Sequence, residues 1–390
     1  MREYEKKVLK RASRESVSRL SRCPECFTPK LLKTLFKWGD GGTVTLRLLN
    51  PDMRFAFLEN DLLNEIIKLL VGQFGEEQVS EIVRDTERAS AAGYVSMLFG
   101  AFKPWMKPLT YIATHSFLLG YVLEKNVVLL GYGAGELVEL KMPNAVVYTR
   151  NPYNVTLFSA DLEACYLVAR EREIRAIPDP VSEQEGIYFY HGRAEPERIP
   201  DAFKKYTVTM VPANPVDSPY DFPRCPRCGV PTPITQLWWD ARDGMIVHKM
   251  TGRRMILWPC YALERLLEAL EARLGREAEE LIFSTVKEYQ VRSIASGGVG
   301  FSPLEQLEFL EADKKGQYEL LLKHLACRGF GHGVVELGDG RVRVKMTNAL
   351  IPLVTSGLVS GMVEALEDRP VKVSREELGE TTVYTLEVEW

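Results

Sequence analysis

The sequence predicts an α+β fold made of two tandem copies of one mixed unit, each with an antiparallel sheet packed against helices. Three observations predict it: a repeated cysteine motif, an ordered series of matches after each motif, and strand and helix patterns that recur in the same order. The motif is Cys23-Pro24-Glu25-Cys26 in the first half and Cys225-Pro226-Arg227-Cys228 in the second, 202 residues later. We expect the two copies to be related by a pseudo-twofold axis.

The matches after the two motifs keep their order along the chain. They pair Gly42 with Gly244, Met53 with Met255, Gly75 with Gly275, Gly131-Tyr132-Gly133-Ala134-Gly135 with Gly329-Phe330-Gly331-His332-Gly333, and Asn151 with Asn348. Chance can supply one such match but not an ordered series. The sequence therefore predicts an internal repeat with loop deletions between the copies.

Each motif is followed by a predicted pair of short strands and then a helix. The strands cover 43–48 and 54–58 in the first copy, and 245–248 and 254–257 in the second. Apolar residues at helical spacing over 62–70 and 263–270 predict the helices. Gly75 and Gly275 follow these segments and predict where the helices end, because glycine accepts the left-handed conformation that ends many helices.

The Gly-x-Gly-x-Gly run of the second copy introduces a predicted hairpin over 334–346, with Asp339-Gly340 in its turn. A helix over 351–366 and strands over 371–374 and 382–389 complete that copy, and strands over 173–177 and 186–190 close the first. In the first copy the run follows 126–130, an apolar segment of strand length. The run lacks the lysine of a phosphate-binding loop, so we interpret it as a tight backbone turn.

Four segments follow from these patterns. Residues 1–22 form a predicted basic helix, 23–191 the first copy, 192–224 a stiff proline-rich linker with one added strand near 206–211, and 225–390 the second copy. The basic residues of the first segment are Arg2, Lys6, Lys7, Lys10, Arg11, Arg14, Arg19 and Arg22, and its apolar positions are Val8, Leu9, Ala12 and Val17. We interpret it as a solvated helix, with docking to an acidic partner as the alternative.

The paired cysteines predict a metal site. The simplest arrangement places Cys23, Cys26, Cys225 and Cys228 around one zinc ion, because a closed structural site takes four ligands. Four thiolates leave the ion no open position for water, so the zinc would be structural. Gly229 after the second pair suits a knuckle turn, whereas Phe27 makes the first pair a looser match. Two alternatives stay open: a separate site in each copy, and redox-active dithiols.

Three further cysteines, Cys165, Cys260 and Cys327, have no counterpart in the other copy. We interpret them as small buried side chains, since no histidine partnership in the sequence singles one out as a nucleophile. His324 and His332 flank Cys327, and a local metal or ligand contact there is the alternative.

Four tryptophans are the candidates for a ligand site. Trp38, Trp238, Trp239 and Trp258 lie on or beside the first predicted hairpin of the two copies. A hydrophobic core would use such residues, and so would the wall of an apolar pocket around a small ligand.

Composition narrows the function classes. The formal net charge is −4 and the pI is about 5.9, which gives no reason to expect nucleic acid or an anionic membrane as a partner. We expect no secretory signal and no membrane span, because the chain shows neither pattern. Cys-x-x-Cys pairs without a disulfide pattern favour the cytoplasm.

The second copy, and more faintly the first, resembles the 4-vinyl-reductase-type domain, whose relatives include hydrocarbon-binding domains, phenol-sensor domains and TRAPP trafficking subunits. The carrying residues are Gly252-Arg253-Arg254-Met255-Ile256-Leu257, Leu274-Gly275, and Asn348 through Gly357-Leu358-Val359-Ser360-Gly361 into Val371-Lys372-Val373. The resemblance implies a mixed fold with an antiparallel sheet, small-molecule binding and pairing between domains.

The chain departs from the sensor branch of that family at two places. Sensor members carry cysteine zinc ligands near the C-terminal strands, where this chain has Ser374, Glu376 and Glu377. They also place a histidine after the methionine-centred strand, where this chain has Trp258-Pro259-Cys260. The family's metal site is therefore not carried over.

We expect a zinc-stabilised cytoplasmic protein that binds a small hydrophobic or aromatic ligand, in a sensor or accessory role. One alternative is an enzyme, or an accessory subunit of one, acting on a macrocycle or an aromatic acid. Another is a protein–protein interaction scaffold. A protein partner and a homodimer stay open, and no residue stands out as catalytic.

Overall fold

The computed structural model describes residues 20–47, 52–100, 125–141, 144–170, 173–194, 213–217, 219–297, 302–338, 341–378 and 381–388. Within these ranges, helices combine with three sheets of antiparallel strands, which confirms the predicted α+β class. The predicted strand near 206–211 and residues 1–19 of the predicted basic helix lie outside them.

The helices and strands are numbered in chain order. Up to residue 194 they are α1 (Lys30–Leu35), β1 (Phe36–Gly39), β2 (Thr43–Leu46), β3 (Arg54–Glu59), α2 (Asn60–Phe74), α3 (Glu76–Gly100), α4 (Val127–Leu130), β4 (Ala134–Lys141), β5 (Asn144–Arg150), α5 (Val155–Arg170), β6 (Ile174–Ser182) and β7 (Ile187–Ala194). After residue 219 they are α6 (Thr232–Thr235), β8 (Leu237–Asp240), β9 (Met245–His248), β10 (Arg254–Pro259), α7 (Cys260–Leu274), α8 (Arg276–Ala295), α9 (Pro303–Glu311), α10 (Lys314–Cys327), β11 (His332–Gly338), β12 (Arg341–Thr347), α11 (Pro352–Glu367), β13 (Val371–Leu378) and β14 (Thr381–Val388).

Most predicted elements occur with ends shifted by a few residues. Helices α2 and α7 end at Gly75 and Gly275, whose φ angles of 92° and 84° explain the choice of glycine. The apolar segment 127–130, which has the length of a strand, is instead the short helix α4. Strands β1 and β8 were not predicted; each follows a short helix with at most one residue between helix and strand.

The chain divides into two compact units, each assembled from three segments. The first unit comprises Met1–Arg22, Ser80–Thr209 and Trp239–Val247, and the second comprises Cys23–Val79, Met210–Trp238 and His248–Trp390. Each unit thus draws on both halves of the chain. The repeat boundaries and the pseudo-twofold relation stay predictions.

The first unit is a four-stranded sheet with helices against it. Its strand order is β4-β5-β7-β6. Ala145 on β5, Tyr166 on α5 and Ile174 on β6 form one buried cluster, so α5 packs on the sheet. A second cluster joins α3 to α5 through Ala91, Ala92 and Ala164, whose small side chains let the two helices approach closely.

The second unit contains a sheet that joins distant parts of the chain. Within this unit, strands β1, β2, β3 and β10 are hydrogen-bonded in that order. Met255 on β10 lies opposite Glu59 on β3 in the antiparallel register. All residues of β3 are buried, which explains why it carries mainly apolar side chains.

The C-terminal part of the second unit is a sheet in the order β11-β12-β14-β13 with α11 beside it. Helix α11 also packs closely on α8, and two glycines make this approach possible. A Cβ atom at Gly357 would lie 2.7 Å from the Val286 side chain, and one at Gly361 would lie 2.5 Å from the Lys287 carbonyl oxygen. Both positions therefore require glycine.

Candidate metal centre

The two Cys-Pro-x-Cys motifs fold into the same turn. In the first, the N–H of Cys23 donates to the Thr28 carbonyl at 2.9 Å, and the N–H of Phe27 donates to the Cys23 carbonyl at 3.0 Å. In the second, Cys225 and Gly229 make the equivalent bonds at 2.9 and 2.8 Å, with Val230 in the place of Thr28. Backbone hydrogen bonding therefore presents both cysteine pairs in the same way.

The residue after each pair adopts the left-handed conformation, with φ of 62° at Phe27 and 72° at Gly229. The expectation that Phe27 makes the first turn a looser match is therefore wrong: the phenylalanine takes the glycine conformation. An L-residue there costs about 1–2 kcal/mol, so the fold accepts strain to keep the turn. The Phe27 side chain is half exposed at 53%.

Each turn is held at the start of a short helix. Pro29 precedes α1 and Pro231 precedes α6, and the two helices lead directly into β1 and β8. Proline suits these positions because its fixed φ is compatible with a helix start and no amide donor is lost from the helix.

All four cysteines meet in the second unit. The Sγ atoms of Cys26 and Cys228 lie 3.4 Å apart, those of Cys23 and Cys225 lie 3.9 Å apart, and all four lie within 4.8 Å of one another. A tetrahedral ion with metal–sulfur bonds of about 2.3 Å would separate sulfurs by about 3.8 Å. Among the residues that the structure describes, this is the cluster able to hold a metal ion.

Burial and hydrogen bonds shift the pKa values of these thiols in opposite directions. Burial raises the pKa of Cys23, but the backbone N–H groups of Cys26 and Glu25 outweigh it and lower that pKa to about 7. Burial raises the pKa of Cys26, and it raises the pKa of Cys228 to about 12. A bound cation would offset the burial cost of the Cys26 and Cys228 thiolates.

Lys249 brings a positive charge towards the cluster. Its Nζ donates to the Thr235 carbonyl at 2.6 Å, which fixes the end of the side chain. Burial lowers the pKa of Lys249, and attraction to the Cys26 thiolate partly opposes that shift. Four thiolates around a divalent ion carry a net charge of about −2, which a nearby ammonium partly neutralises.

The donor set defines the chemistry of the site. Four thiolates are soft ligands that select zinc or iron over magnesium and calcium, which take oxygen ligands. Three of the cysteines are buried and Cys26 is half-buried. Such an enclosed site stabilises structure and offers no position for a substrate.

The structure does not gather the predicted tryptophans around one cavity. Trp239 is fully buried, and its indole N–H donates to the Leu129 carbonyl at 2.9 Å within the first unit. Trp38 and Trp258 are buried in the second unit, and Trp238 is 40% exposed. None of the four lines the cleft beside Phe57 in the second unit or the cavity beside Tyr166 in the first, so their role in a ligand site stays a prediction.

One cleft lies in the second unit. Phe57, Ile234 and Met255 give it apolar walls, and Glu59, His324 and Arg328 add polar groups. The space open to the centre of a water molecule is about 20 Å³, as it is in the first unit's cavity beside Tyr166 and Tyr190. Each cavity admits about one water molecule.

The remaining cysteines behave as the sequence predicts. Cys165, Cys260 and Cys327 are buried. Burial raises the pKa of all three thiols, to about 12 for Cys260, so they stay protonated and unreactive near neutral pH.

Both Gly-x-Gly-x-Gly runs are tight turns, as predicted. In the first unit the N–H of Gly133 donates to the Gly244 carbonyl at 3.0 Å, and in the second unit Gly331 donates to Gly42 at 2.9 Å. A Cβ at Gly244 would lie 1.8 Å from the Gly133 carbonyl carbon, so the two backbones touch. The runs support packing between segments.

Two polar groupings were not predicted from the sequence. In the second unit, Arg328 pairs with Glu59 through both carboxylate oxygens, and both side chains are only 8% exposed. In the first unit, the Tyr153 hydroxyl donates to Asp161 at 3.0 Å, and Asp161 also hydrogen-bonds Glu87. Their members lie far apart in sequence or on different elements, so no motif marks them.

No helix among the described residues combines the length and the apolar character needed to cross a bilayer. No family model, no curated protein and no solved structure matches the chain.

Proposed function

We propose that the protein is a zinc-stabilised binding protein in which one structural zinc joins the two Cys-Pro-x-Cys turns. The observation that carries this proposal is the meeting of Cys23, Cys26, Cys225 and Cys228 within 4.8 Å. Their spacing suits a tetrahedral ion, and the two turns share the same hydrogen bonds. Structural zinc of this kind contributes on the order of 10 kcal/mol to folding.

Zinc suits the proposed structural role better than iron does. Thiolate sites serve both metals, but a structural role needs no electron-transfer path and tolerates full enclosure. Free thiols in such a site persist in a reducing compartment, which supports a cytoplasmic location.

We place the ligand site in the second unit's cleft rather than at the tryptophans. Phe57, Ile234 and Met255 supply apolar contacts for a small hydrophobic or aromatic ligand, and Arg328 with Glu59 supplies a polar end. The cleft admits about one water molecule at present, so side chains must move to admit a ligand. The resemblance to 4-vinyl-reductase-type domains supports this class of ligand and a sensor or accessory role.

Native mass spectrometry of the purified full chain tests both parts of the proposal. We expect one zinc ion per chain and a retained small molecule, or one that binds when simple aromatic compounds are added. A chain that carries iron contradicts the zinc assignment. A chain that carries zinc but binds no aromatic compound at millimolar concentration contradicts the ligand assignment.

A second candidate function, acid–base catalysis, has one observation in its favour. Burial raises the pKa of Asp161 from 3.8 to about 7, near the value that suits a general acid or base at neutral pH. Asp161 lines neither the second unit's cleft beside Phe57 nor the first unit's cavity beside Tyr166, so this candidate ranks second.

A further inference from the structure

The charged side chains that line the second unit's cleft do not balance. Two arginines, Arg253 and Arg328, face one carboxylate, Glu59, so with neutral histidines the lining carries a formal charge of +1. Arg328 donates to both oxygens of Glu59, with its Nη1 at 2.9 Å from one of them. This pair neutralises itself, so the remaining positive charge belongs to Arg253.

The guanidinium of Arg253 is held in place by uncharged groups. Its Nη1 donates to the Ser293 hydroxyl at 2.6 Å, and its Nη2 donates to the Ser296 hydroxyl at 3.4 Å. The same group lies 5.4 Å from the centre of the Tyr289 ring. In the part of the chain that the structure describes, no carboxylate pairs with it. A guanidinium has five N–H donors in a planar fork, so Arg253 is oriented and keeps donors for an anion.

His248 contributes a second donor to the same lining. Its Nδ1 accepts the backbone N–H groups of Met250 and Thr251 at 3.3 and 3.4 Å. The proton of the neutral ring is therefore on Nε2, which makes that atom a donor. The polar lining thus favours a ligand group that only accepts hydrogen bonds, as a carboxylate does.

The rest of the lining is apolar. Phe57, Ile234 and Met255 are buried side chains on the wall of the cleft. An apolar wall beside an oriented guanidinium suits a ligand with a ring and one anionic group, because a carboxylate matches the guanidinium fork in shape and charge. A neutral ring would leave the charge of Arg253 without a counterpart.

We propose that the ligand of this cleft is a small aromatic carboxylate, with its acid group on Arg253 and its ring against Phe57, Ile234 and Met255. This inference rests on the proposed function, which places the ligand site in the cleft, and it adds the charge of the ligand and the residue that recognises it.

Equilibrium dialysis of the purified full chain near neutral pH tests the inference with benzoate and benzyl alcohol, which share a ring and differ in charge. Benzoate should bind at least about tenfold more tightly, because its hydrogen bonds to Arg253 are charge-assisted. In Arg253→Met, benzoate should lose this advantage and benzyl alcohol should bind as before. Arg253→Lys keeps the charge without the planar fork and should retain part of the advantage.

Arg276→Met is the matched control, because its side chain is 85% exposed on α8 and does not line the cleft. It should leave the preference for benzoate unchanged, and circular dichroism checks the fold of each variant. If the unmodified chain binds neither probe, the proposed function fails and this inference fails with it. If it binds both probes equally, the apolar ligand site stands and the acid assignment is overturned. A preference for benzoate that persists in folded Arg253→Met overturns the role of Arg253.

Discussion

The sulfur atoms of Cys26 and Cys228 lie 3.4 Å apart although 202 residues separate the two cysteines in sequence. Neither pair of cysteines can close a tetrahedral site alone, because each supplies only two ligands. A metal at this point therefore links segments from both halves of the chain.

The first prediction concerns the left-handed residue of each turn. Gly229→Val should lower the free energy of unfolding by about 1–2 kcal/mol, because a β-branched residue resists the φ of 72°. A Cβ there meets no atom within 4 Å, so the loss reports backbone strain and not a clash. Denaturant unfolding of the zinc-saturated protein measures it.

Phe27→Gly is the matched control for that prediction. It puts glycine at the equivalent place in the first turn, where φ is 62°, and should be tolerated with zinc retained. If Gly229→Val proves as stable as the unmodified chain, the turn does not need a left-handed residue.

The second prediction concerns the contact between α8 and α11. Gly361→Ala should lower the free energy of unfolding by about 1–3 kcal/mol, because its Cβ would press on the Lys287 carbonyl and separate the helices. Gly72→Ala on α2 is the control: nothing lies within 4 Å, so it should raise stability by about 0.5–1 kcal/mol. If Gly361→Ala and Gly72→Ala have equal effects on stability in thermal unfolding, the close approach of α8 and α11 is disproved.

The third prediction concerns the buried pair of Arg328 and Glu59. Arg328→Met should lower the free energy of unfolding by about 3–5 kcal/mol, because it leaves the Glu59 carboxylate buried without its partner. The double variant Glu59→Met/Arg328→Met should recover much of that loss. Arg276→Ala, which removes an exposed pair with Glu280, should change stability by less than about 0.5 kcal/mol. If Arg328→Met is as stable as the double variant, the Glu59 carboxylate does not depend on Arg328 as its partner.

The fourth prediction concerns pH and the first unit. Burial raises the pKa of Asp161 to about 7, so the folded state keeps a proton that the unfolded state has lost above about pH 4. Stability should therefore fall as pH rises from about 4 to about 7 and then level off. Asp161→Asn should remove this slope and stabilise the protein at pH 8 by about 2–4 kcal/mol. Unfolding at pH 5 and pH 8 measures how the free energy of unfolding depends on pH. If Asp161→Asn shows the same dependence as the unmodified chain, the prediction is refuted.

Much of the local structure follows from the sequence because its causes are local. Glycine after an amphipathic segment ends α2 and α7, and the Cys-Pro-x-Cys spacing presents both cysteine pairs. Strands β1 and β8 escaped prediction because each follows a short helix almost at once, with no glycine, proline or asparagine to mark where the strand begins. Phe27 was misjudged because preference for glycine in the left-handed region is statistical, and tertiary context can override it.

The composition of the units could not be predicted from the sequence. Contact between Gly42 and Gly331, or between Gly133 and Gly244, depends on how distant segments pack, and each glycine alone signals only a turn. The pairing of Arg328 with Glu59 could not be predicted for the same reason, because 269 residues separate the two. The tryptophans show the converse: large aromatic residues serve core and pocket alike, so their number does not reveal a ligand site.

The most direct test of the account is the metal content of the purified chain with matched cysteine variants. We predict one zinc ion per unmodified chain, and none that survives gel filtration in Cys225→Ala. Cys260→Ala, which removes a buried cysteine outside the cluster, should keep its zinc. Zinc that is retained in Cys225→Ala, or a chain purified under reducing conditions that binds no zinc, would contradict a shared four-cysteine site.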